Sequence, residues 1–131
     1  MITLTKTWNE GRDESARRSR VTTGVLWALQ ILSTAMFLFA GVSKLAGVPM
    51  MVQAFGAIGI GQWFRYVTGT IEVVSAVLLL IPSVASYGAV ALAVTMVGAI
   101  ITHLFIIGGS PVIPILLLAA TATIAWARRS Q

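Results

Sequence analysis

The sequence has no cysteine, a single histidine, and charge on only 10% of its 131 residues. The missing thiols exclude disulfides, thiolate nucleophiles and iron–sulfur ligation by this chain, and they leave the redox character of its compartment open. One histidine is too small a donor set for a metal centre, which takes three or four protein ligands, so no metal is expected. No serine, histidine and acid occur at a spacing that suggests a hydrolase, and the glycine run Gly56–Gly61 lacks the lysine and hydroxyl pair of a phosphate loop. Soluble domains average about 25% charged residues. With 57% apolar residues and a mean hydropathy of +0.91, this composition is that of a membrane protein large enough for one bundle.

The net charge of +5 is unevenly placed. Arg12, Arg17, Arg18 and Arg20 crowd the start, diluted by Glu10, Asp13 and Glu14, while Arg128 and Arg129 close the end. Basic clusters flanking apolar runs mark cytoplasmic membrane ends, so no nucleic-acid partner is expected. Residues 1–20 read as a polar cytoplasmic tail, flexible or weakly helical, and not as a secretory signal, whose apolar core would be shorter.

Residues 21–128 read as an all-α membrane domain, a bundle of four transmembrane helices. The spans fall at about 21–45, 65–81, 84–107 and 112–127. Pro82 and the segment "GGSP" break the chain between spans, and Pro111 and Pro114 sit in or just before a first turn, where proline is tolerated. Between the first two spans, Val52, Phe55 and Ile58 recur every three residues, the pattern of a short helix lying in the interface. Trp63, Phe64, Arg65 and Tyr66 then form an aromatic and basic anchor, and Trp27 and Trp126 lie beside the terminal arginines as belt residues. This pattern predicts a multi-pass protein of the cytoplasmic membrane with both termini inside.

Three ionisable residues then fall in the outer half of the membrane. Glu72 lies about 10.5 Å below Arg65 on the same helix face, with Thr68 between them, and His103 about 7.5 Å below the outer end of the third span. Lys44 ends the first span. A charge in hydrocarbon costs at least about 2.5–3.5 kcal/mol, so Glu72 should face inward and find a partner, Lys44 first and Arg65 second. On the first span Gln30, Ser33, Phe37, Gly41 and Lys44 form one stripe, the candidate inward face. Beside this functional reading stands a structural one, in which the Lys44–Glu72 pair only fixes helix register, Arg65 is an interfacial anchor and His103 an interhelical hydrogen bonder.

The segment "AGVSKL", the pattern "GTIEVVSAVLLL" and "GAIITH" occur in this order over residues 24–126. In these features the chain resembles the DoxX and DoxX-like family of small four-helix membrane proteins. The resemblance points to Lys44, Glu72 and His103 as substrate-binding or proton-carrying residues, with Arg65, Thr68 and Gln30 in support. It implies an accessory membrane subunit linked to quinone-dependent oxidation, to oxidative-stress defence or to assembly of redox enzymes. A quinone is then the expected ligand, with no cofactor held by the chain alone. Its expected partners are the lipid bilayer, a redox-enzyme subunit and further copies of itself. Whether such a chain is itself an enzyme stays open, since it offers no electron-donor site. A small proton-coupled transporter is the competing class, although a lysine facing Glu72 opposes proton exchange there. A purely structural or assembly protein is the third.

Overall fold

A computed structural model describes residues 2–129, which form helices and turns only. In chain order these are α1 (Ile2–Ala46), α2 (Pro49–Ile58), α3 (Trp63–Leu78), α4 (Ala85–Thr102) with a π-helical extension His103–Ile107, and α5 (Val112–Arg128). α1 packs on α3 and α5, and α4 on α3 and α5, while α2 lies against α1, α3 and the π-helical turn. α2 therefore marks the end of the molecule shared by Lys44, Glu72 and His103.

The polar segment read as flexible or weakly helical is helical, and α1 runs on through residues 2–20. No proline interrupts this stretch, and acid-to-arginine spacings of four, Asp13 to Arg17 and Glu14 to Arg18, favour helix in the written order. α1 and the α4 segment through Ile107 are long and apolar enough to cross a membrane. Large apolar side chains on their outer faces, among them Phe39, Val94 and Phe105, are exposed, as in helices whose solvent is lipid.

The inward faces repeat at three and four residues. On α1 they are Gln30, Ser33, Phe37 and Gly41; on α3, Arg65, Gly69, Glu72 and Ala76, with Leu79 just past its end; on α4, Ala85, Ala89, Leu92 and Met96. Phe37, Leu79, Leu92, Met96 and Ile124 meet in the core. Small residues set how closely the axes approach. A Cβ on Gly41 would stand 2.7 Å from Val73 Cγ2 and 2.9 Å from the Gly69 carbonyl, and one on Gly88 would stand 2.7 Å from the Ser75 carbonyl. Such contacts leave room for hydrogen only, so α1 crosses α3, and α4 crosses α3, through their glycines.

Candidate functional site

α1 ends two residues beyond Lys44. Gly47 takes φ 73°. Its N–H donates to the Lys44 carbonyl at 3.3 Å, and the Val48 N–H to the Ser43 carbonyl at 3.2 Å. This is a Schellman ending, which needs a residue able to adopt the left-handed conformation. Pro49 then opens α2 at a position where its missing N–H costs nothing.

The Gly41–Gly69 crossing carries Lys44 over α3 beside Glu72, one turn on from Gly69. Lys44 Nζ lies 2.9 Å from Glu72 Oε1 and 3.2 Å from Oε2, so the ammonium straddles the carboxylate. Glu72 is 1% exposed and Lys44 14%.

Arg65 is 5% exposed, which the anchor reading does not describe. Its Nη1 donates to the Lys44 carbonyl. Its Nε donates to Gln62 Oε1 at 2.8 Å, and its guanidinium lies 4.4 Å from the Tyr66 ring centre. A cation is thus placed on the C-terminal carbonyls of α1, where the helix dipole is negative. Trp63 and Tyr66, its neighbours in the sequence, are exposed. Replacing Arg65 by lysine keeps the charge but removes the fork, and we expect a stability loss of about 1–3 kcal/mol. Urea or heat unfolding in detergent would measure it, and an unchanged midpoint would show that the clasp contributes nothing.

The remaining candidates do not join the pair. Thr68 is half-buried and donates to its own helix at the Phe64 carbonyl, 2.8 Å away. His103 lies at the same end, but its Nδ1 is 2.8 Å from the Ala99 carbonyl of its own helix, and it begins the π-helical turn. Gln30 stands within α1, about 21 Å from Lys44 along the axis. It belongs to a second polar cluster that sequence reasoning missed. There, Gln30 Nε2 donates to the Leu79 carbonyl at 2.6 Å, Thr34 to the Ala76 carbonyl at 3.2 Å, and Arg128 Nε to Gln30 Oε1 at 3.0 Å. Its one sequence signal was the polar set Gln30, Ser33 and Thr34 within a mostly apolar run.

An all-helical fold with exposed apolar faces, two helices long and apolar enough to cross a membrane, and a charged pair sealed between two helices is that of a membrane protein. Residues 28–127 match the model of the DoxX-like family, and the chain belongs to that family. A relative from Bacillus subtilis (strain 168), named "Putative oxidoreductase CatD", is 34% identical over 74 residues, 56% of this chain and 55% of the relative. The match thus spans about half the length of that relative. No solved structure matches the chain.

Proposed function

We propose that this chain is an accessory membrane subunit of a redox system, crossing the cytoplasmic membrane four times and held rigid by an internal Lys44–Glu72 lock. The observation that carries the lock is the direct 2.9 Å contact of Lys44 with a Glu72 that is 1% exposed. A carboxylate committed to a lysine at a glycine crossing is well suited to fixing register and poorly suited to exchanging protons with a substrate. The redox association is supported by the name of the Bacillus relative. The four-span reading is supported by the mutual packing of α1, α3, α4 and α5 and by arginines at both chain ends. α3 and α5, at 16 and 17 residues, cross in this reading with help from flanking turns and a thinned bilayer. α2, short and lying across three helix ends, is then the interfacial piece.

The test is respiratory oxidation by membranes that contain or lack the chain. Deletion should lower a quinone-dependent oxidation rate. The wild-type chain should restore it, and so should a double variant, Lys44→Met with Glu72→Met, that keeps the packing without the charges. Full rates without the chain would refute the redox association, whereas failure of a well-folded double variant alone would assign the pair a chemical role.

A second reading, a quinone-like ligand at the same end, is favoured by one feature. π-helical turns gather at functional sites, and this one starts at His103 and displays Leu104, Phe105 and Ile106. Purified protein titrated with a short-chain quinone should then bind it saturably and lose affinity on His103→Leu. Absence of saturable binding would remove this reading.

A further inference from the structure

α1 keeps its helical turns well beyond the packed core. Residues 7–25 are all exposed, and the first side chains half-covered by the bundle are Leu26 and Trp27. About 20 helical residues cross the ~30 Å hydrocarbon layer. Counted back from Lys44 they end at Val25, so residues 21–24 fall at headgroup level and residues 2–20 form an arm outside the bilayer.

The two sides of this arm differ. At 3.6 residues per turn, Trp8, Arg12, Ser15 and Ser19 form one stripe, flanked by Ala16 and Arg18. Glu10, Asp13, Glu14, Arg17 and Arg20 share the opposite side, where they border one shallow hollow. All three acids of the arm thus stand together, and the charge around the Trp8 stripe is positive only, from Arg12 and Arg18. Arg12 donates to Asn9 Oδ1 at 3.3 Å, an exposed contact that a phosphate oxygen can replace.

A helix with an indole, small residues and arginines on one side and acids on the other suits the surface of an anionic bilayer. The indole sits at headgroup depth, and the guanidiniums bond phosphates beside it. The straight arm holds Trp8 about 24 Å from Gly24 along the axis, whereas headgroups extend only about 5–8 Å beyond the hydrocarbon. Trp8 therefore reaches that layer only when the arm folds down, and residues 21–24 are where it bends most readily. Val21, Thr22, Thr23 and Gly24 are poor helix formers with no packing to hold them, and a Cβ on Gly24 would meet nothing within 4 Å. Since the arm is already tethered to the bilayer, docking avoids the entropy cost of association from solution, and two arginines suffice.

We propose that the N-terminal arm of α1 bends at residues 21–24 and lies on an anionic cytoplasmic leaflet through Trp8, Arg12 and Arg18, with Glu10, Asp13 and Glu14 facing water. The proposal rests on the membrane placement of the chain and is independent of the redox reading.

The chain has no cysteine, so a nitroxide on one introduced cysteine reports one position. Ser15→Cys marks the stripe, Glu14→Cys the acid side, and Leu32→Cys an exposed position within the span. The full chain is placed in nanodiscs of phosphatidylcholine with or without phosphatidylglycerol, and access of the label to oxygen and to a nickel chelate separates lipid from water. Phosphatidylglycerol should move the label at position 15 from water to the bilayer surface, raising the ratio of docked to upright arm about thirtyfold, roughly fivefold for each arginine, while the label at position 14 stays in water. Arg12→Gln with Arg18→Gln should abolish the shift, and Arg17→Gln with Arg20→Gln should leave it. Gly24→Ala, which stiffens the bend, should lower the ratio about fivefold, and an unchanged ratio would overturn the bend. A label at position 15 that stays in water would overturn the docking. Equal shifts at positions 14 and 15, or equal effects of the two arginine pairs, would reduce it to net charge and overturn it as well. Spin–spin broadening at position 15 would assign the stripe to a second copy of the chain and not to lipid. Water contact at position 32 would refute the membrane placement, and the docking with it.

Discussion

Lys44→Met should destabilise the protein by about 3–5 kcal/mol, because it leaves the Glu72 carboxylate buried without its counter-charge. The partner is specific: Nζ lies within 3.2 Å of both carboxylate oxygens. The double replacement, Lys44→Met with Glu72→Met, removes both charges and should recover most of the loss, because an apolar pair of similar volume avoids the desolvation that the ions suffer. Reversible unfolding in mixed micelles, read by tryptophan fluorescence, gives the three free energies of this cycle. A loss below about 1 kcal/mol for Lys44→Met would mean that Glu72 has found another partner, and the lock would be refuted.

Gly41→Leu should cost about 3 kcal/mol or more, at the upper end of overpacking penalties. The first added carbon already stands 2.7 Å from Val73 Cγ2 and 2.9 Å from the Gly69 carbonyl, and backbone cannot yield as a side-chain tip can. α1 must therefore move off α3, taking Lys44 away from Glu72. The same substitution at Gly98, where a Cβ meets nothing within 4 Å, should leave stability nearly unchanged. Since the cost at Gly41 includes loss of the ion pair, it should shrink when Lys44 and Glu72 are already methionine. Equal costs in both backgrounds would show that crossing and pair are independent.

The parts of this architecture that were legible in the sequence are those carried by periodicity and by the cost of charge in an apolar run. The stripe Gln30, Ser33, Phe37 and Gly41 is buried, and Glu72 meets the lysine it was matched with. The helix breaks follow Pro82 and the glycines before Pro111, as their backbone restrictions require. What stayed hidden has backbone atoms as partners. Arg65 bonds a carbonyl of α1 and Gln30 a carbonyl of α3, and every residue has a carbonyl, so the sequence does not single out the acceptor. Aromatic neighbours made Arg65 read as an anchor, although its own side chain turns inward. The π-helical turn at His103 gave no pattern to read, and the mixed charges of the tail left a flexible and a helical state open where the structure has helix.

The spacing of the polar contacts along the chain has a consequence for biogenesis. Lys44 and Glu72 are 28 residues apart and Lys44 and Arg65 only 21, so the first hairpin to emerge during synthesis contains every group needed to neutralise its own buried charges. That hairpin can leave the insertion machinery as a self-satisfied unit before α4 and α5 exist. The other end matures differently: Gln30 and Arg128 are separated by 98 residues, and their contact waits for almost the last turn of the chain. Assembly thus proceeds from an early seal at the Lys44 end to a late one at the arginine end. A nascent chain stalled after α3 would already hold its charged pair while Gln30 still lacked Arg128.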